Sequence, residues 1–129
     1  MPGKKPLRDA ILQNTLDFNN QGITGGMHAR KLSVVSSSSS TYVMTDADIF
    51  RVVNSTYAGA TNFVISSGLT GPIGGEVIFY NSAAAGSVVV SASGSTIQAY
   101  GSTATAGRYA VGAAICVAAD TWLITGNMS

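Results

Sequence analysis

The chain is short of nearly every residue that does chemistry. Its 129 residues include one Cys, one His, 6 Asp or Glu and 7 Lys or Arg. A single cysteine, Cys116, excludes an intrachain disulfide; within the apolar run 111–117 it reads as a small buried hydrophobe rather than a reactive thiol. No Cys/His set exists for zinc. The lone His28 stands among loop-forming residues, which cannot hold a base at hydrogen-bond distance from a nucleophile. The expectation is a non-enzymatic protein with no catalytic residue, no cofactor and no metal.

Long apolar runs are missing too. None approaches the ~18 residues of a membrane span, and the start Met1-Pro2-Gly3-Lys4-Lys5-Pro6 has charge without the apolar core of an export signal. A protein made in a cytoplasm and not anchored in a bilayer is expected. Without a secretory signal the sequon Asn54-Ser55-Thr56 carries no meaning.

Large side chains are few, with one Trp, 4 Phe and 5 Tyr, and helix-forming charges are scarce. What is abundant is small or β-branched: 17 Ala, 15 Gly, 12 Val, and 28 Ser and Thr together. Such a composition makes short strands and turns, so the fold class is all-β. From Arg30 onward, β-branched runs recur about every ten residues between Gly, Ser and Asn, the spacing of a sandwich or barrel. The runs predict strands over 30–36, 40–44, 49–53, 61–66, 75–80, 86–92, 95–99, 107–117 and 121–126. They imply a single small antiparallel β-sandwich, jelly-roll-like, at 32–129, behind an extended N-terminal arm at 1–31.

The arm is basic and the body acidic. Lys4, Lys5, Arg8, Arg30 and Lys31 against Asp9 and Asp17 give the arm +3; Arg51 and Arg108 against Asp46, Asp48, Glu76 and Asp120 give the body −2. Counterion release needs many phosphate contacts and the arm has no interleaved aromatics, so nucleic acid is not the expected partner. Residues 7–14 could form two helical turns with Leu7, Ile11 and Leu12 on one side, too short to stand alone. The arm is therefore expected to become ordered on a neighbouring protein. Leu7, Ile11, Leu12, Leu16 and Phe18 would be the apolar anchors, and the five cations would lie on an acidic surface.

Strand alternation identifies faces. In the run 76–80, Val77 and Phe79 share one face and Ile78 and Tyr80 the other, so both are apolar and each needs cover from a second sheet or another subunit. In the run 49–53, Phe50 and Val52 lie opposite Arg51. Asp46 and Asp48, two apart, could serve a cation or an acid pair, but Thr45-Asp46-Ala47-Asp48 reads first as turn chemistry ahead of a strand. The glycine cluster 68–75 lacks a phosphate-loop lysine and precedes a strand, so it reads as a turn or hairpin tip.

The ending Tyr109-Ala110-Val111-Gly112-Ala113-Ala114-Ile115-Cys116-Val117-Ala118-Ala119-Asp120-Thr121-Trp122-Leu123-Ile124-Thr125-Gly126-Asn127 resembles that of a family of bacteriophage virion β-domains. In these a small-residue strand leads through a turn to a Trp, an apolar pair and Thr-Gly-Asn. Upstream runs at 45–54, 61–65, 75–81 and 86–90 follow in the same order, so the resemblance covers residues 41–129. Such domains occur at tail-fibre tips, in head fibres and in capsid decoration proteins, and are typically trimeric. The resemblance implies a virion structural protein that binds the major capsid protein or another virion protein and assembles as a homotrimer. With a short arm rather than a long shaft ahead of the domain, a capsid decoration or cement protein or a short head fibre is the leading expectation. The alternative is a tail-tip receptor- or glycan-binding module, with Tyr57, Tyr100 and Tyr109 stacking on sugars. Apart from the resemblance, Trp122 with Leu123 and Ile124 can plug the end of a core, or stand exposed to a sugar, and Gly126 and Asn127 suit an exit with positive φ.

Overall fold

Among the described residues, nine strands form where the β-branched runs lie. They are β1 (Ser33–Ser37), β2 (Thr41–Val43), β3 (Arg51–Ser55), β4 (Ala60–Ser66), β5 (Glu76–Asn81), β6 (Ser87–Ser93), β7 (Thr96–Ala99), β8 (Gly112–Ala118) and β9 (Thr121–Gly126). The computed structural model describes residues 32–129. His28 and the arm residues expected to attach the protein (Lys4, Lys5, Leu7, Arg8, Ile11, Leu12, Leu16, Phe18, Arg30 and Lys31) lie outside the described residues.

The first six strands alternate between two sheets and pair in parallel, which corrects the antiparallel jelly-roll expected from the sequence. The chain winds β-solenoid-like coils: β1, β3 and β5 stack in one sheet, β2, β4 and β6 in the other. Val34 pairs with Val52, 18 positions on, and Val52 with Ile78, 26 on. Thr41 pairs with Asn62, 21 on, and Ala60 with Ser87, 27 on. The coils share a direction but no constant length. Their corners stack as well: Thr56 N–H donates to the Ser37 carbonyl (2.8 Å) and Ser82 N–H to the Ser55 carbonyl (2.9 Å).

After β6 the winding stops. β8 takes the next place beside β5 but runs antiparallel, a two-residue turn reverses it into β9, and β7 pairs parallel to β9 at the sheet edge. Asp120 makes that turn with φ +50, a conformation Asp tolerates, and its Oδ1 accepts Gly68 N–H at 2.8 Å. The other sheet is closed on the same side. Residues 103–105 pair with β6 through Val90 N–H to Thr103 O and Thr105 N–H to Val88 O, and Thr105 bridges to Met128.

Inward side chains of both sheets meet in one core. Register sets them in rows, such as Val35, Val53, Phe79 and Gly112 across the six-stranded sheet and Tyr42, Phe63 and Val90 across the other. Phe63 joins the layers, with its ring centroid 5.6 Å from Tyr42 and 5.0 Å from Phe79. Trp122 is buried in the row Cys116, Trp122, Ile97, so it plugs the core. Cys116 is buried there as a hydrophobe. Three local expectations change. The strand predicted over 107–117 starts only at Gly112, because 103–105 pairs with β6 and 107–110 forms a turn closed by Ala110 N–H on the Gly107 carbonyl. Phe50 stands before β3 with φ +65 and is 43% exposed, and in β3 Val53 and Ser55 point inward. Gly126 has φ +125 as expected, but Asn127 does not have positive φ.

Candidate interaction surface

Among the described residues, capping is one-sided. At the end of the winding both sheets are closed, whereas among the described residues β1 and β2 each have a strand neighbour on one side only. Residues 32–45, which contain both strands, have no charged side chain. Val34 is 64% and Val43 53% exposed at this edge. Charge, proline and bulges are what normally keep a sheet edge from adding strands, and the charge is absent here.

The outer face of the six-stranded sheet continues from that edge. Register aligns Val34, Val52, Ile78 and Ala113 across it, with Ile115 opposite Leu123 alongside. Among outward strand positions on this face only Glu76 is charged. Val77 and Phe79 are covered by the second sheet, while Ile78 and Tyr80 on the outer face are half-buried.

The carboxylate pair at 46 and 48 is turn chemistry. A 3-10 turn, Asp46–Asp48, follows β2, with Thr45 and Asp48 forming its capping box. Asp48 is buried and accepts from Tyr42 Oη (2.7 Å), Thr45 N–H (2.9 Å) and Arg51 Nη1 (3.1 Å), so both carboxylate oxygens are engaged and its charge is paired. Burial and the hydrogen bond to Asp48 push the Tyr42 phenol up from 10.0 to about 12. Asp46 accepts from Thr70 N–H and Oγ1 (both 2.8 Å) and Gly71 N–H (3.1 Å), which pins the 68–75 loop between the sheets. The Thr70 hydroxyl in particular holds the Asp46 carboxyl below its usual range. Among the described residues no group of three or more His, Cys, Asp or Glu could hold a metal ion.

A second exposed feature was hidden from sequence reasoning because its parts are far apart in the chain. Asn81 is buried at a corner where its Nδ2 donates to the Tyr57 carbonyl (3.0 Å) and Ser87 carbonyl (3.1 Å), and its Oδ1 accepts Ala83 N–H (2.8 Å). Gly86 leaves room for this amide, since a Cβ there would overlap it. The Asn81 carbonyl accepts Tyr109 N–H at 2.9 Å. Asn81 therefore ties Tyr57 and Tyr109 to one corner. Tyr109 has φ +65 and is 58% exposed, with the Arg108 guanidinium carbon 4.6 Å from its ring centroid. Tyr100 stands fully exposed on another turn, and no hydrogen bond or ring contact among the described residues links it to this corner.

Compared with known proteins, the chain matches no family model, no curated protein and no solved structure.

Proposed function

We propose that the chain is a structural protein of a bacteriophage particle, a capsid decoration or cement protein or a short head fibre, which acts by adhesion. The observation that carries this reading is the unequal treatment of the two ends of the coil stack. Among the described residues, one end is closed by antiparallel pairing in each sheet, whereas at the other β1 and β2 have a strand neighbour on one side only and lie in an uncharged stretch, beside an outer face crossed by an apolar row. An edge of that kind favours a further strand or a neighbouring subunit, because added strands satisfy backbone groups and burial of apolar area stabilises by about 25 cal/mol per Å². The resemblance of residues 41–129 to virion domains supplies the context. In this reading copies of the domain associate as a homotrimer, and the 1–31 arm binds the major capsid protein or another virion protein.

The test is light scattering and co-sedimentation with capsids stripped of accessory proteins. The intact chain is expected to be trimeric and to pellet with capsids. V34K/V43K places charge at two exposed positions, so it should leave thermal unfolding nearly unchanged and abolish self-association. Deletion of residues 1–20 should abolish pelleting. A monomer that ignores capsids would overturn the reading.

A second reading, a tail-tip receptor- or glycan-binding module, is favoured by the strained, exposed Tyr109 with its stacked arginine.

A further inference from the structure

We propose that Arg108 and Tyr109 form a binding site for a carboxylated sugar in an acidic glycan; this rests on the glycan-binding reading and gives it a ligand class and named residues. The first observation is backbone strain. A bulky aromatic residue with φ +65 is a steric outlier, because its Cβ crowds the neighbouring carbonyl, and glycine would occupy the position freely. Strain at an exposed side chain brings the core no packing in return. It persists where the side chain is needed for something else.

The second observation is charge. Arg51 is neutralised by Asp48, whereas Arg108 has no carboxylate partner among the described residues. Its guanidinium is fixed instead by Nε, which donates to the Ser82 carbonyl at 3.0 Å, and by the Tyr109 ring beneath it. A planar cation held in this way retains N–H groups for bidentate binding of a carboxylate.

The third is rigidity. The Tyr109 N–H is bound by Asn81, whose amide is itself clamped between the 55–61 and 83–87 segments, and Ala110 N–H closes a turn onto the Gly107 carbonyl at 3.1 Å. The pair is thus positioned before any ligand arrives, which lowers the cost of binding. One ring face carries Arg108. The exposed remainder of the ring suits the apolar face of a pyranose, and a single cation is too little charge for nucleic acid.

The experiment uses the full chain on an array of saccharides bearing glucuronate, galacturonate or sialate, with neutral counterparts and polyglutamate as controls. Binding to one or more carboxylated sugars, with neutral counterparts at least tenfold weaker, is expected. Arg108→Gln should weaken it tenfold or more. Tyr109→Gly should abolish it while the unfolding midpoint holds or rises, because glycine relieves the strain. Unchanged binding by both variants would overturn the site. Neutral sugars bound as well as acidic ones would overturn the ligand class and leave the glycan reading standing, whereas no saccharide bound would end both. Polyglutamate bound as tightly as the sugars would reduce the site to a general anion contact and overturn it as well.

Discussion

Gly112 stands where β8 crosses the Phe79 ring, and a Cβ there would overlap that ring and lie 3.1 Å from the Met128 sulfur. Phe79 is fully buried against Phe63, so the ring has nowhere to go. Gly112→Ala is therefore expected to destabilise by ~1–3 kcal/mol, the usual cost of overpacking, measured by chemical denaturation. In the sequence Gly112 looks like one more member of a small-residue run. The run suggests close backbone approach, but which glycine is indispensable depends on Phe79, thirty-three positions earlier. Trp122 was easier to read, because a lone Trp between a turn and an apolar pair has few places to go but the core.

The β2, 3-10 turn and β3 unit is held by Asp48, which joins Tyr42, Thr45 and Arg51 across two sheets. Its existence as a turn was visible in the Thr-Asp-Ala-Asp spacing, since capping chemistry is local. Its partners were not, because Tyr42 and Arg51 converge only once β2 and β3 enter different sheets. The Tyr42 phenol is raised from 10.0 to about 12 in the folded protein. A raised folded value means that the contribution of the neutral phenol is complete below pH 10 and is lost as pH rises through 12. Urea unfolding across that window should show stability falling in the native chain and a shallower fall in Tyr42→Phe, which has no phenol to ionise. Equal slopes would remove Tyr42 from the account.

At the scale of the whole molecule, a coil stack that among the described residues is closed at one end and open at the other predicts a gradient in amide hydrogen exchange. In the isolated protein β1 and β2 should exchange faster than β4 and β5, which have strands on both sides. If copies assemble on particles as proposed, β1 and β2 should gain protection while β8 and β9 stay as they were. Protection gained at β8 and β9 instead would place the contact at the capped end. All nine strands were visible in the sequence within a few residues, except the start of β8, because β-branched content and alternation act over four to eight neighbours. The all-β class follows from the same local signals, and alternation set Val77 and Phe79 on one face, but both faces of that run are apolar and only the structure shows which one turns inward. Pairing does not follow from those signals: alternation states which face a residue takes but not which strand lies beside it. Coils of 18 to 27 residues without a repeated motif leave no period to detect. The parallel winding, the reversed cap and the corner that joins Tyr57 to Tyr109 through Asn81 were decided by tertiary structure, since each rests on contacts between residues distant in the chain.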